Sequence, residues 1–276
     1  MKPIHTTRLF PVLDRLLIDL LQSLSHEAWE RQSPVPRWKV KDLAAHLLDG
    51  NLRSLSMLRD GYFGEPPEDI KSYQDLVAYL NQLNADWVKA MHRVSPLLLI
   101  DWLEKTGREY SDFLQTLDPF EKSVFSVAWA GEEESLNWFH IAREYTEKWH
   151  HQQQIRQVVG QEAPLYQRDL YFPYLDTSMR ALPHHYREVK AKEGTLIRFN
   201  ITGEGGGTWQ LVRDGQQWVL DENSVSTAAC VVAIDGKIAW RIFTKGISRD
   251  EAAAEVNISG RRELGEPILS MLAVMA

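Results

Sequence analysis

The sequence predicts an α+β multidomain chain, with an N-terminal antiparallel helical bundle followed by a smaller α+β domain. Two observations carry this. Through the first 160 residues, leucines recur at three- and four-residue spacing in long segments separated by proline, glycine and serine breakers. From Gly194 the apolar period drops to two, and turn signals cut the chain into short runs. The change of period puts the expected division at 1–165 and 166–276.

The first helix, with Thr6 or Thr7 as its cap, carries Leu9, Leu13, Leu16, Leu17, Leu20, Leu21 and Leu24. Ser33-Pro34-Val35-Pro36 breaks the chain. A second helix runs from near Val40 to near Gly61, with Leu43, Ala44, Leu47, Leu48, Leu55 and Leu58 on its apolar side, and Gly64-Glu65-Pro66-Pro67 reads as a loop. A third starts near Ser72 and sets Leu76, Val77, Leu80, Leu83, Trp87 and Met91 on one side. Pro96 opens a fourth that reaches Leu117. Residues 118–134 read as an irregular crossover, and a fifth helix from about Leu136 to Val159 stops at Gly160. Long helices with one long connection fit an antiparallel bundle.

One more helix is expected around residues 168–182. Residues 196–201 alternate as a half-buried strand, and Gly205-Gly206-Gly207 turns the chain. Residues 208–213 and 216–220 form a hairpin about Asp214-Gly215. Residues 230–234 make another strand and 256–259 a short one, with helical patterns at 237–243 and 263–275.

Thirty-one Lys and Arg against 38 Asp and Glu leave a net charge of −7, which lacks the basic footprint of a nucleic-acid binder. The single cysteine, Cys230, excludes a disulfide framework and a thiolate-rich zinc cluster within one chain, so any metal must be held by His and carboxylate. No run of 18 uncharged apolar residues occurs, and the N-terminus lacks the apolar stretch of a signal peptide. A cytoplasmic protein without a membrane or nucleic-acid partner is expected.

The fifth helix contains Glu147-Lys148-Trp149-His150-His151. Glu147 and His151, four residues apart, share one face one turn apart, with His140 and Glu144 on the same stripe. A carboxylate and an imidazole at this spacing can take neighbouring positions on one divalent cation. His46 on the second helix is the best placed third ligand, and a His₂-Glu set leaves a coordination position open for water or substrate. The same stripe, lying opposite Trp138, Ile141, Tyr145 and Trp149, can also be read as the solvated face of an amphipathic helix. Its His, Glu and Gln content is unusual for such a face, which is ordinarily Lys and Glu.

Trp38-x-Val40-x-Asp42-Leu43-x-x-His46-Leu47, followed about 100 residues later by Glu147-x-x-x-His151, resembles the metal-binding domain of the DinB-like superfamily, and most of all its mycothiol-dependent maleylpyruvate isomerase branch. The resemblance covers nearly the whole chain. It implies a bundle holding a divalent metal, usually zinc, through His46, Glu147 and His151, and a C-terminal domain like a sterol-carrier protein. His150 is the neighbour that a one-residue register shift would substitute. It further implies a low-molecular-weight thiol as cofactor. The metal would present it as a thiolate, which adds to a substrate double bond, permits rotation and leaves. The partners are then a small-molecule substrate and the thiol, with a homodimer as the assembly expected from base frequency.

The chain departs from the branch where other members carry Gly-Arg after the Trp-bearing helix of the second domain, since Gly246 is followed by Ile247. Arg241 and Arg261, with Lys245, are the candidates for the catalytic cation that this arginine would supply. The readings from the sequence are therefore a thiol-dependent isomerase or S-transferase, a non-enzymatic binder of an apolar ligand, or a hydrolase using metal-bound hydroxide. Cys230 in an apolar strand reads as buried and structural, Trp209 and Trp218 as packing residues, and His184-His185 as exposed.

Overall fold

A computed structural model describes residues 2–64 and 70–275; the expected loop at Gly64-Pro67 falls outside it apart from Gly64. Five long helices form the N-terminal half: α1 (Phe10–Ser23), α2 (Val40–Ser54), α3 (Tyr73–Met91), α4 (Pro96–Leu114) and α5 (Asn137–Val159). The starts follow local chemistry. The Ser72 and Ser95 hydroxyls accept from the amides of Asp75 and Leu98, which caps α3 and α4. The Asp42 carboxylate accepts from the Lys39 amide at 2.8 Å and fixes the entry to α2. Gly160, at φ 71°, ends α5 in the left-handed region, where glycine pays no Cβ penalty.

Several expectations need correction. Neither threonine caps α1: residues Thr7–Leu9 form a 3-10 turn instead, and Pro11 sits in the first turn of the helix. The second helix leaves α geometry at Ser54 and ends in a π turn, Leu55–Arg59. The crossover is irregular, as expected, with one 3-10 turn at Ala128–Ala130.

The second half opens with α6 (Arg168–Met179), which packs on α5. A five-stranded sheet follows in the order β3-β2-β1-β4-β5, from β1 (Leu196–Thr202), β2 (Gly207–Asp214), β3 (Gln217–Leu220), β4 (Cys230–Asp235) and β5 (Asn257–Gly260). β1 pairs antiparallel with β2 and parallel with β4, so a crossover brings residues 230–235 back beside the first strand. The helix α7 (Gly236–Phe243) covers β1 and β4. A further helix, α8 (Arg249–Glu255), begins at a Ser248/Glu251 capping box. The expected long helix over 263–275 is absent. Arg262–Gly265 makes one turn and Glu266–Ser270 a 3-10 turn, because Pro267 cannot donate within a continuing helix.

The apolar core is continuous across residue 165. Trp149 of α5 stacks on Tyr171 at 4.8 Å between ring centres, lies 4.2 Å from Tyr174, and meets Trp240 of α7 edge-on at 6.0 Å. Its indole N–H donates to the Leu165 carbonyl at 3.3 Å. Trp209, Trp218 and Cys230 are buried, as expected, and burial pushes the Cys230 thiol up to about 11. His184 and His185 are half-buried rather than exposed, and the His185 ring nitrogen donates to the Pro267 carbonyl at 2.7 Å.

Candidate metal centre

The helix α5 is the central strut of the molecule. Its apolar side, with Tyr145 and Trp149, faces α6 and α7, and its polar side faces α1, α2 and α4. The polar stripe is therefore not a solvated face: His140 is only 2% exposed, and His150 and Gln154 are buried as well. A helix covered over most of its circumference must satisfy most of its polar groups internally. Gln152 donates to the Leu13 carbonyl, and Arg156 donates to the carbonyls of Leu16 and Gln161.

Within this stripe, Glu147, His150 and His151 each offer a ligand atom, and these atoms all lie within 4.8 Å of one another. The Glu147 Oε2 is 3.7 Å from His151 Nε2. Each imidazole is oriented by a hydrogen bond from Nδ1, to the Thr146 carbonyl for His150 and to Gln154 Oε1 for His151, both at 2.9 Å. The proton is thereby fixed on Nδ1 and the Nε2 lone pair is left available, the arrangement that metal-binding histidines use.

The third element is α2. Its His46 ring lies edge-to-face on the His151 ring, 4.6 Å between centres. Trp38 packs on the other side of His46 at 5.1 Å, and Trp87 of α3 clamps the same turn by donating to the Ala45 carbonyl at 2.8 Å. The His46 Nδ1 is buried without a hydrogen-bond partner among the described residues. An orphaned imidazole nitrogen beside a His-His-Glu group fits a site that could hold a cation. The residues whose ligand atoms converge are thus Glu147, His150 and His151, and the sequence-predicted His46 meets them through its ring contact with His151. Helical periodicity alone favours one of the two adjacent histidines, whereas here both turn inward.

Burial sets the protonation of the cluster. Desolvation pushes the Glu147 carboxyl up to about 7, against the opposing pull of Arg143 and Arg53. It pushes His150 down to about 4 and holds His46 and His151 well below the ordinary histidine range. Three neutral imidazoles are in the form that a metal would require of them. Beneath them, Arg143 Nη2 spans His140 Nδ1 at 2.9 Å and Glu144 Oε1 at 2.7 Å, and Tyr110 donates to Glu144 Oε2 at 3.1 Å.

The sequence-predicted cations lie elsewhere. Arg241 is turned to the Gly246 carbonyl at 3.5 Å, and Arg261 is exposed and paired with Glu263 at 2.9 Å.

A family model described as the mycothiol maleylpyruvate isomerase N-terminal domain matches residues 11–156. Two crystal structures, of the mycothiol-dependent maleylpyruvate isomerase and of a histidine-to-alanine mutant of it, superpose on this chain with a TM-score of 0.54 each. Each is 12% identical and covers 94% of this chain and 96% of its own, which shows a shared fold over both halves. A search of curated proteins finds no match.

Proposed function

Since the chain belongs to the mycothiol maleylpyruvate isomerase N-terminal domain family, with more than half its length matched, we propose that it is a metal-dependent enzyme that uses a low-molecular-weight thiol to isomerise, or to be transferred to, a small electrophile. The observation that carries this reading is the approach of His46 from α2 to His151, with Glu147 and His150, inside the bundle. His46, Glu147 and His151 are the ligands we assign to a divalent metal, zinc by donor set, with His150 as the alternative imidazole. When bound, the cation supplies the positive charge that holds a thiol as its thiolate at neutral pH.

The protein's own groups do the rest. Thr146 and Gln154 hold the two imidazoles of α5 in one tautomer and orientation. Trp38 and Trp87 fix the α2 turn that presents His46 and keep water from its flank. Glu147, whose carboxyl burial raises to about 7 in the metal-free chain, would give up its proton on binding the cation. A cytoplasmic location belongs to the same proposal, and no helix of the structure is long and apolar enough to cross a membrane.

The test is metal analysis followed by turnover. We expect about one zinc per chain, lost in His46→Ala and His151→Ala, and activity on an activated alkene only with added thiol. Metal content that ignores both substitutions defeats the assignment. Full activity without thiol would defeat the thiol-dependent reading, and cleavage of an ester or amide without thiol would instead indicate hydrolysis.

A further inference from the structure

A cleft opens where the crossover of the first half meets the end of the chain. The 3-10 turn Ala128–Ala130 forms one wall, the helical turn Leu182–His185 with Arg187 forms another, and Leu272 and Val274 give it an apolar side. Its volume is about 300 Å³, at the small end of small-molecule sites, which favour junctions of this kind. The cleft is separate from the histidine-glutamate cluster. Trp129 meets α5 edge-on at Phe139, 5.9 Å between ring centres, and Phe139 stands eight residues before Glu147, about 12 Å of helix rise.

The side chains of its walls are held in place. His184 is seated on Gly131, which lies at φ 81° and where a Cβ would run into the imidazole. His185 is engaged with the Pro267 carbonyl. Arg187 Nη1 donates to the His184 carbonyl at 2.7 Å, the only hydrogen bond of this side chain among the described residues, and its Nε stands 3.8 Å from Glu188, too far for another. Burial and the Arg187 charge lower His184, so the charge in the cleft is that of the guanidinium. Trp129 is only 7% exposed, and its Nε1 is buried with no partner among the described residues. An indole N–H can only donate, so what this wall lacks is an acceptor, and a buried donor left without one is costly to keep.

We infer that this cleft is a second ligand site, distinct from the candidate metal centre, for a small carboxylate with a flat apolar body. A carboxylate offers acceptors alone, so one oxygen answers the Trp129 N–H while the Arg187 guanidinium takes the charge. The apolar body lies against the indole, Leu272 and Val274. Because the crossover and the C-terminal segment both line the cleft, an occupant bridges the two halves and stabilises the folded chain by mass action.

The test is titration calorimetry of the full chain with benzoate, using uncharged benzamide as control, together with NMR spectra of the tryptophan indole N–H groups. We expect saturable benzoate binding, at least fivefold tighter than that of benzamide, and a downfield shift of one indole proton whose signal is missing in Trp129→Phe. Trp129→Phe, which keeps a ring and loses the donor, should weaken benzoate several-fold. Arg187→Gln should weaken it at least fivefold, and with a side chain 56% exposed in the native protein it carries the comparison if Trp129→Phe fails to fold. His151→Ala should bind benzoate within twofold of wild type, which separates this cleft from the metal centre whether or not a metal is held there. The absence of saturable benzoate binding, benzamide binding as tightly as benzoate, an Arg187→Gln affinity within twofold of wild type, or binding that is lost in His151→Ala overturns the proposal.

Discussion

The His46 ring rests edge-on against the His151 ring, 4.6 Å between centres, although 105 positions separate the two in sequence. Neither histidine is ordered by its own helix alone. Trp38 backs the first and Gln154 holds the second, so the pair records the docking of α2 on α5.

Removing either member of the pair should abolish stoichiometric zinc, whereas His140→Ala should retain it, because the described partner of His140 is Arg143 rather than the cluster. Elemental analysis of the three purified variants makes the comparison.

Gln154→Ala should weaken zinc binding by about 10- to 100-fold while leaving all candidate ligands in place, the usual cost of removing the partner that orients a ligating imidazole. Competition with a chromophoric chelator reads the affinity. An unchanged value would place His151 outside the site.

Acid should destabilise the metal-free protein. His140 and His150 titrate near 4 in the fold and near 6.5 unfolded, so the unfolded chain binds more protons between these values and stability falls as the pH drops from about 6.5 towards 4. Glu147 acts in the opposite sense. Its carboxyl is raised to about 7, so its contribution is present below about 4.5 and is lost as the pH rises through 7. Glu147→Gln should therefore steepen the loss on acidification. Thermal melts across pH 5 to 8 measure both slopes, and an unchanged slope in Glu147→Gln would contradict the assignment.

Trp149→Ala should cost about 3–5 kcal/mol, the range for truncating a buried aromatic, since the indole touches Tyr171, Tyr174 and Trp240 at once. Urea unfolding should show the loss. A change below about 1 kcal/mol would mean that the two halves do not depend on this contact.

Sequence periodicity located the long helices because each start and stop has a local cause: the serines before α3 and α4, Pro96, and Gly160. Asp214-Gly215 marked its hairpin for the same reason. The family motif led to His46, Glu147 and His151. Burial of the polar stripe was not legible, because periodicity sees one helix at a time and cannot tell that α2 and α4 cover the side opposite Trp149. The helix α8 was missed although Ser248-x-x-Glu251 is a capping box, since its apolar content is little more than an alanine run. The last helix was overextended by reading past Pro267.

The edge-on contact of Trp149 with Trp240 also orders events in time. The bundle is encoded by residue 159, but the indole that closes over its central helix is specified about 80 positions later. At a synthesis rate of about 5–20 residues per second, the nascent bundle lacks this part of its aromatic cover for roughly 4–16 seconds. During this interval a holdase, or the incoming aromatics Tyr171 and Tyr174, must shield Trp149 from other nascent chains.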